Sequence, residues 1–236
     1  MIDAMTHKPR LLIVEDEPAI SAGLRDVFVF HGYAVDVAAD GTTGLQQALA
    51  GRHDLLLLDV MLPGVDGFEI LRRVRAVDRD QPVILLTAKS TDEDVIHGLA
   101  LGADDYVAQP FSVAQLVLRV QAVLRRARVG VVAAQTLRLG DAVEIDTANL
   151  SGRRGDAELA FTRREMELLE YLAAHAERPV SREELLHKVW GYARDVDLET
   201  RTVDIHVAKL RRKLEPEPAN PAFLVTVRGA GYRLLV

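Results

Sequence analysis

The sequence predicts two folds in series. The first is an α/β domain built on a doubly wound, parallel, five-stranded sheet; a smaller α+β domain follows. Three observations carry this reading. Short apolar runs alternate with helix-period segments five times before residue 127. The run Leu55-Leu56-Leu57-Leu58 is unbroken, as expected of a parallel strand buried on both faces. Beyond residue 136 the pattern changes to short alternating stretches, capped helices and a final hairpin.

Leu11–Val14 is the first strand. A helix follows from Pro18, which suits a first turn, to His31, and Gly32 closes it. Ala34–Ala38 is a strand and Gly41–Ala50 a helix. Leu55–Leu58 is the central strand, and the turn residues Pro63 and Gly64 lead to a helix over Asp66–Val77. Val83–Leu86, a helix over Thr91–Leu101, the short strand Tyr106-Val107 and a helix from Ser112 to Arg126 complete the alternation. Right-handed crossovers place helices on both faces and the ligand site at the carboxyl ends of the strands.

Residues 127–136 are small and weakly patterned. They read as a linker, with Val131-Val132 as an alternative strand, so the domains are 1–126 and 137–236. Leu137–Phe161 reads as a small antiparallel sheet. Thr162 with Glu165, and Ser181 with Glu184, are capping boxes for two helices, the second reaching about Trp190. Gly191–Glu199 is an acidic loop. Thr200 caps a helix to Leu214, ended by Pro216, Pro218 and Pro221. Val225–Arg228 and Tyr232–Val236 form a hairpin. Three helices and a terminal hairpin make a winged helix-turn-helix.

Composition narrows the function. With no Cys, disulfides, thiol catalysis and cysteine-ligated zinc are excluded. No apolar run reaches the roughly 18 residues of a spanning helix, and the start is not a signal peptide, so a cytoplasmic protein without membrane contact is expected. Residues 1–136 hold 13 Lys and Arg against 18 Asp and Glu; residues 137–236 hold 16 against 17. Nucleic-acid contact must therefore be local. Arg201–Lys213 carries five basic residues against Asp204 alone. A solvated helix face is the usual meaning of such a run, but the adjoining hairpin favours DNA.

Asp59 ends the central strand, and Glu15-Asp16 end the first. If these strands are neighbours, three carboxylates converge, which is costly unless a hard divalent cation neutralises them; oxygen ligands of this kind suit Mg2+. Separately, each acid is an ordinary loop residue.

The first half resembles a response-regulator receiver domain. The matching segments are Glu15-Asp16, LLLLDVMLPGVDG around Asp59, LLTAK ending at Lys89, and GLALGADDYVAQPF. The second half resembles the winged-helix effector of the OmpR/PhoB family, through LAFTRREMELL, SREELLHKVWG, ETRTVDIHVAKLRRKLE and LVTVRGAGYRL. The resemblance implies a two-component transcription factor. In it, Asp59 accepts a phosphoryl group from a sensor histidine kinase. Mg2+ is held by Glu15, Asp16, Asp59 and the main-chain carbonyl of Met61. Thr87 and Tyr106 form the switch. The resemblance further implies an RNA polymerase contact for the acidic loop, and a cis Gln109–Pro110 bond.

Two departures stand out. Gln109 occupies the place of the family's lysine, giving a hydrogen-bond donor without the charge. Active members pair through the fourth helix, fifth strand and fifth helix. Asp105 and Arg119 match one charge pair of that homodimer face; Val95 and Gln115 replace another, and Ala100 and Gln121 a third. Apolar Val95, Ala100, Val113 and Val117 are expected to add to that face. For promoter DNA, matching gives Arg201, Thr202, His206, Lys209 and Arg211, with His206 and Lys209 approaching base edges, the first two holding phosphate, and Arg228 in the minor groove. Ile205, Ala208 and Leu210 are expected on apolar or small positions.

The leading expectation is a phosphorylation-controlled DNA-binding regulator. The alternative is a phosphorylation-independent factor of the same fold. A phosphatase or phosphotransferase using Asp59 as nucleophile is a third reading, against which stands Met61, where that class commonly has a second acid. The chain is not expected to be an enzyme.

Overall fold

The computed structural model describes residues 8–87, 92–127, 136–192 and 201–236. Most of the expected linker, with Val131-Val132, most of the acidic loop, Lys89 and the cap Thr200 lie outside the described residues. The chain divides into two compact units, Met1–Leu124 and Arg125–Val236.

In the first unit, strands β1 (Arg10–Val14), β2 (Ala34–Ala38), β3 (Leu55–Asp59), β4 (Val83–Thr87) and β5 (Asp105–Ala108) form one parallel sheet in the order β2-β1-β3-β4-β5. The chain steps outward from β1 to β2, then returns to β3 and runs the other way. The reversal lies between β1 and β3, so their carboxyl ends flank the crevice where such sheets bind ligands. Leu11, Ile13, Leu55, Leu57, Ile84 and Leu86 share one core with Leu24, Phe28, Leu116 and Val120, residues of helices α1 (Pro18–Phe30) and α5 (Val113–Ala127). Leu12, Val14, Leu56, Leu58 and Leu85 alternate with them along the strands and are equally buried. Burial on both faces explains the unbroken apolar runs.

Helices α2 (Gly41–Leu49), α3 (Gly67–Val77) and α4 (Asp92–Leu101) complete the alternation. β3 and β4 each run one residue further than periodicity suggests, because Asp59 and Thr87 still pair in the ladder, with Leu86 and Ala108; β1 likewise gains Arg10, and β5 gains Asp105 and Ala108. Asp66 caps α3, its side chain accepting from the Glu69 amide at 2.7 Å.

The second unit opens with an antiparallel sheet of β6 (Thr136–Leu139), β7 (Val143–Asp146), β8 (Ser151–Arg154) and β9 (Ala157–Ala160). Helices α6 (Arg163–Ala173), α7 (Arg182–Lys188) and α8 (Arg201–Leu214) follow, then the hairpin β10 (Leu224–Val227) and β11 (Gly231–Leu234). The Thr162–Glu165 box is complete. At α7 only half of the expected box forms: Ser181 accepts from the Glu184 amide, while the Glu184 carboxylate takes Arg178 at 2.6 Å and Tyr171 at 2.7 Å. Trp190 anchors a core with Phe161, Leu169, Val203, Val207, Leu210 and Leu224. Gly231 sits at φ 123°, where a Cβ would strike the Val180 carbonyl, so the hairpin can lie against the strand-like Val180 only with glycine there.

Candidate functional site

The crevice of the first unit gathers the expected acids. Ligand atoms of Glu15, Asp16 and Asp59 lie within 4.8 Å of one another. Sheet order produces this: β1 and β3 are direct neighbours, β3 ends in Asp59, and Glu15 and Asp16 follow directly after β1. The start of α3 presses on the same point, since a Cβ at Gly67 would collide with the Asp59 carbonyl. Glu15 and Asp59 are buried while Asp16 is exposed. Burial holds the Glu15 carboxyl up to about 7, with Asp59 and Asp16 adding repulsion. Burial also raises Asp59, although the amides of Met61 and Val60 donate to its carboxylate. One oxygen of each, Glu15 Oε2 and Asp59 Oδ1, is buried without a hydrogen-bond partner. Orphaned carboxylate oxygens beside a third acid fit a hard cation with oxygen ligands, so the residues present suit Mg2+.

Thr87, wholly buried, ends β4. Its side chain is hydrogen-bonded to Tyr106, whose hydroxyl pKa is raised by burial. Gln109 is half-buried, and its amide donates to the Thr87 carbonyl at 2.7 Å. The Gln109–Pro110 bond is cis. The three switch candidates are thus joined by contacts within one edge of the sheet.

On the expected pairing face, Val95 is half-buried and Gln115 exposed. Arg119 Nη1 lies 2.6 Å from Asp105 Oδ2 within the same chain, and the Asp105 side chain is wholly buried. Val117 belongs to the core, not to the surface. Among the described residues, Ile96, Val113 and Leu118 are the exposed large apolar side chains of α4 and α5.

Helix α8 corrects the expected division of labour. His206 is buried, so it cannot approach a base edge. Its ring stands edge-on to Trp190, and Nδ1 donates to the Thr202 carbonyl at 2.9 Å. Burial lowers its pKa to about 4. Lys209, also assigned to base edges, is drawn inward: its ammonium lies 2.9 Å from Glu165, and Lys213 binds the same carboxylate at 2.6 Å. Burial pushes the Glu165 carboxyl up, but Lys209 and Lys213 outweigh it and leave the pKa lowered. Arg211 reaches across to the Leu224 carbonyl and Thr226 Oγ1. Asp204 accepts from Arg182 and from the Tyr232 hydroxyl, each at 2.6 Å, tying α8 to α7 and to the hairpin. Leu210 is core, whereas Ala208 and Arg212 are exposed and Ile205 and Thr202 half-buried. Arg228 is exposed at the hairpin turn. The Arg201 side chain lies outside the described residues.

Sequence reasoning missed Glu165 as the partner of the basic run. The capping box placed Glu165 at a helix start, but nothing in the sequence shows that α8 packs against that end of α6.

The family described as "Response regulator receiver domain" matches residues 11–121, and "Transcriptional regulatory protein, C terminal" matches residues 156–234. The DNA-binding response regulator MtrA of Mycolicibacterium smegmatis is 41% identical over 228 residues, covering 97% of each chain. The solved structure of a RitR mutant aligns with TM-score 0.72 at 27% identity, over 96% of this chain and 99% of that one. DrrB, an OmpR/PhoB homologue from Thermotoga maritima, aligns with TM-score 0.50 at 29% identity over 96% and 99%. A receiver fold followed by an OmpR-type DNA-binding domain defines a two-component response regulator. This chain belongs to the OmpR/PhoB family of such transcriptional regulators. No helix among the described residues is long and apolar enough to cross a membrane.

Proposed function

We propose that Asp59 is the phospho-acceptor and that its phosphorylation by a sensor histidine kinase controls binding of the second unit to promoter DNA. The carrying observation is the cluster of Glu15, Asp16 and Asp59 with two orphaned buried oxygens, close to Thr87 and Tyr106 on the same sheet. An Asp59 oxygen attacks phosphorus as the bond to the donor breaks. Glu15, Asp16, Asp59 and the Met61 carbonyl would hold Mg2+, which would offset charge on the transferring phosphoryl group. The Thr87 hydroxyl then donates to a phosphoryl oxygen, and its bond with Tyr106 passes the change to the surface of β5. Gln109 adds a neutral hydrogen bond, so coupling is weaker than a cation would give.

On activation two receivers pair through α4, β5 and α5. The Asp105–Arg119 pair shapes that face from within one chain, while Val95 and Gln115 leave it short of charge. DNA contacts come from Arg201 and Thr202 at the start of α8 and from Arg228, while Arg211 is held by the Leu224 carbonyl and Thr226 Oγ1; 191–199 is an RNA polymerase contact. The division is 1–126, linker 127–136 and 137–236, and the chain acts in the cytoplasm as a regulator rather than an enzyme. A second reading, phosphorylation-independent activity, is favoured by one observation: neither Gln109 nor the Val95–Gln115 positions supply the charges such a switch uses.

The test is oligomeric state and promoter binding with and without acetyl phosphate and Mg2+, beside Asp59→Asn. Donor-dependent dimerisation that requires Asp59 supports the first reading. DNA binding that ignores both the donor and the substitution supports the second.

A further inference from the structure

The basic run of α8 is mostly committed inside the protein. Lys209 and Lys213 are held by Glu165, Arg211 by β10, and His206 is core. The helix buries Val203, Val207, Leu210 and Leu214. With about 3.6 residues per turn, the stripe opposite that core contains Ile205, Ala208 and Arg212. Ala208 and Arg212 are exposed and Ile205 is half-exposed. The middle of the outward stripe therefore has no hydrogen-bonding side chain, although the helix from Arg201 to Lys213 is strongly basic.

We propose that Ile205 and Ala208 read the C5-methyl groups of thymines in the major groove, so that the half-site carries T·A pairs where they dock. This rests on the DNA-binding reading above. The exposed Arg212 on this stripe and the exposed Arg228 of the hairpin suit a polyanion, and the major groove offers one apolar group on its base edges, the thymine methyl. Guanine and cytosine edges opposite Ile205 would lose water without gaining a partner, which disfavours G·C there. Residues three apart on a helix are separated by about 4.5 Å along its axis, comparable to the roughly 3.4 Å between base pairs. Ile205 and Ala208 thus face neighbouring pairs. Arg212, further along the same stripe, supplies a phosphate contact.

The experiment selects binding sites for the full-length protein from a random duplex pool, with acetyl phosphate and Mg2+ present. Each thymine of the selected half-site is then replaced by deoxyuridine, which lacks only the methyl, and affinity is read by fluorescence anisotropy at fixed salt. The expected result is a loss of about fourfold at one or two adjacent positions, the amount for one buried methyl-sized group. Ile205→Ala should abolish the loss at its own position while leaving the other. Ala208→Arg should shift the selected base there from thymine towards guanine. Sequence-specific binding with no thymine sensitive to methyl removal overturns this inference and leaves the DNA reading intact. Failure to enrich any sequence overturns both.

Discussion

Lys209 Nζ lies 2.9 Å from Oε1 of Glu165, a carboxylate with no exposed side-chain surface. The contact joins α8 to the capping box of α6, so the charge serves the fold. Glu165→Gln keeps the cap but leaves two ammoniums beside a neutral group. Breaking a buried pair from one side costs about 3–5 kcal/mol. Urea unfolding followed by Trp190, the only tryptophan, should show a loss near 3 kcal/mol in the second unit. A loss under about 1 kcal/mol would mean the ammoniums relax into water.

His206 makes that unit sensitive to acid. Its pKa is lowered to about 4 by burial, from 6.5 when unfolded. The unfolded chain therefore binds the proton first. The stabilising effect is complete above about pH 6.5 and is lost as pH falls towards 4, by up to about 1.4 kcal/mol per unit. Calorimetry of the full chain between pH 7.5 and 5 should show the second unit's transition falling. His206→Gln should flatten that fall; an unchanged slope would assign it to other groups.

The two folds were legible because their signals are local: unbroken apolar runs for doubly covered strands, Thr162 and Ser181 for helix starts, Gly229-Ala230-Gly231 for the hairpin. The acidic cluster was legible because strand ends fix where Glu15 and Asp59 lie. What failed was the choice of outward face on α8. His206, Lys209 and Arg212 are all polar, and only tertiary packing decides that the first enters the core, the second folds back to Glu165 and the third meets solvent. The same limit applied to Val117, whose apolar character suits a core and an interface equally.

Arg119 and Asp105 offer a test of where that pair acts. Since Asp105 is wholly buried and paired at 2.6 Å within one chain, Arg119→Ala should destabilise the first unit by about 3 kcal/mol even at concentrations where the protein is monomeric. An unchanged transition in the monomer, with only dimerisation impaired, would make the pair intermolecular instead.

At the proposed Mg2+ site, Glu15 predicts a pH dependence of binding. Burial raises its pKa from 4.5 to about 7. A raised folded pKa contributes stability at low pH, and that contribution is lost as pH rises through about 7. The metal-free first unit should therefore weaken from about pH 5 to 8. Mg2+ offsets this where the carboxylate is ionised, while protons compete with it below pH 7. At a free concentration of 100 times Kd, binding adds about 2.7 kcal/mol. The thermal shift on adding Mg2+ should be larger at pH 8 than at pH 6, and smaller in Asp16→Asn. Equal shifts at both pH values would place the ion away from Glu15.

In the proposed switch, Gln109 is the residue that separates the phosphorylation-controlled reading from the constitutive one. Its amide is already fixed to the Thr87 carbonyl at 2.7 Å, so the side chain leaves from an anchored backbone. Gln109→Lys would exchange a neutral hydrogen bond for a charged one, a gain of about 1 kcal/mol when a phosphoryl group is present and little when it is absent. Sedimentation equilibrium with acetyl phosphate and Mg2+ should then show dimerisation strengthened about fivefold over the unsubstituted protein, with no change in the Asp59→Asn background. Equal strengthening without the donor would show that a cation at this position stabilises pairing by itself. The phosphoryl group would then not be what Gln109 senses.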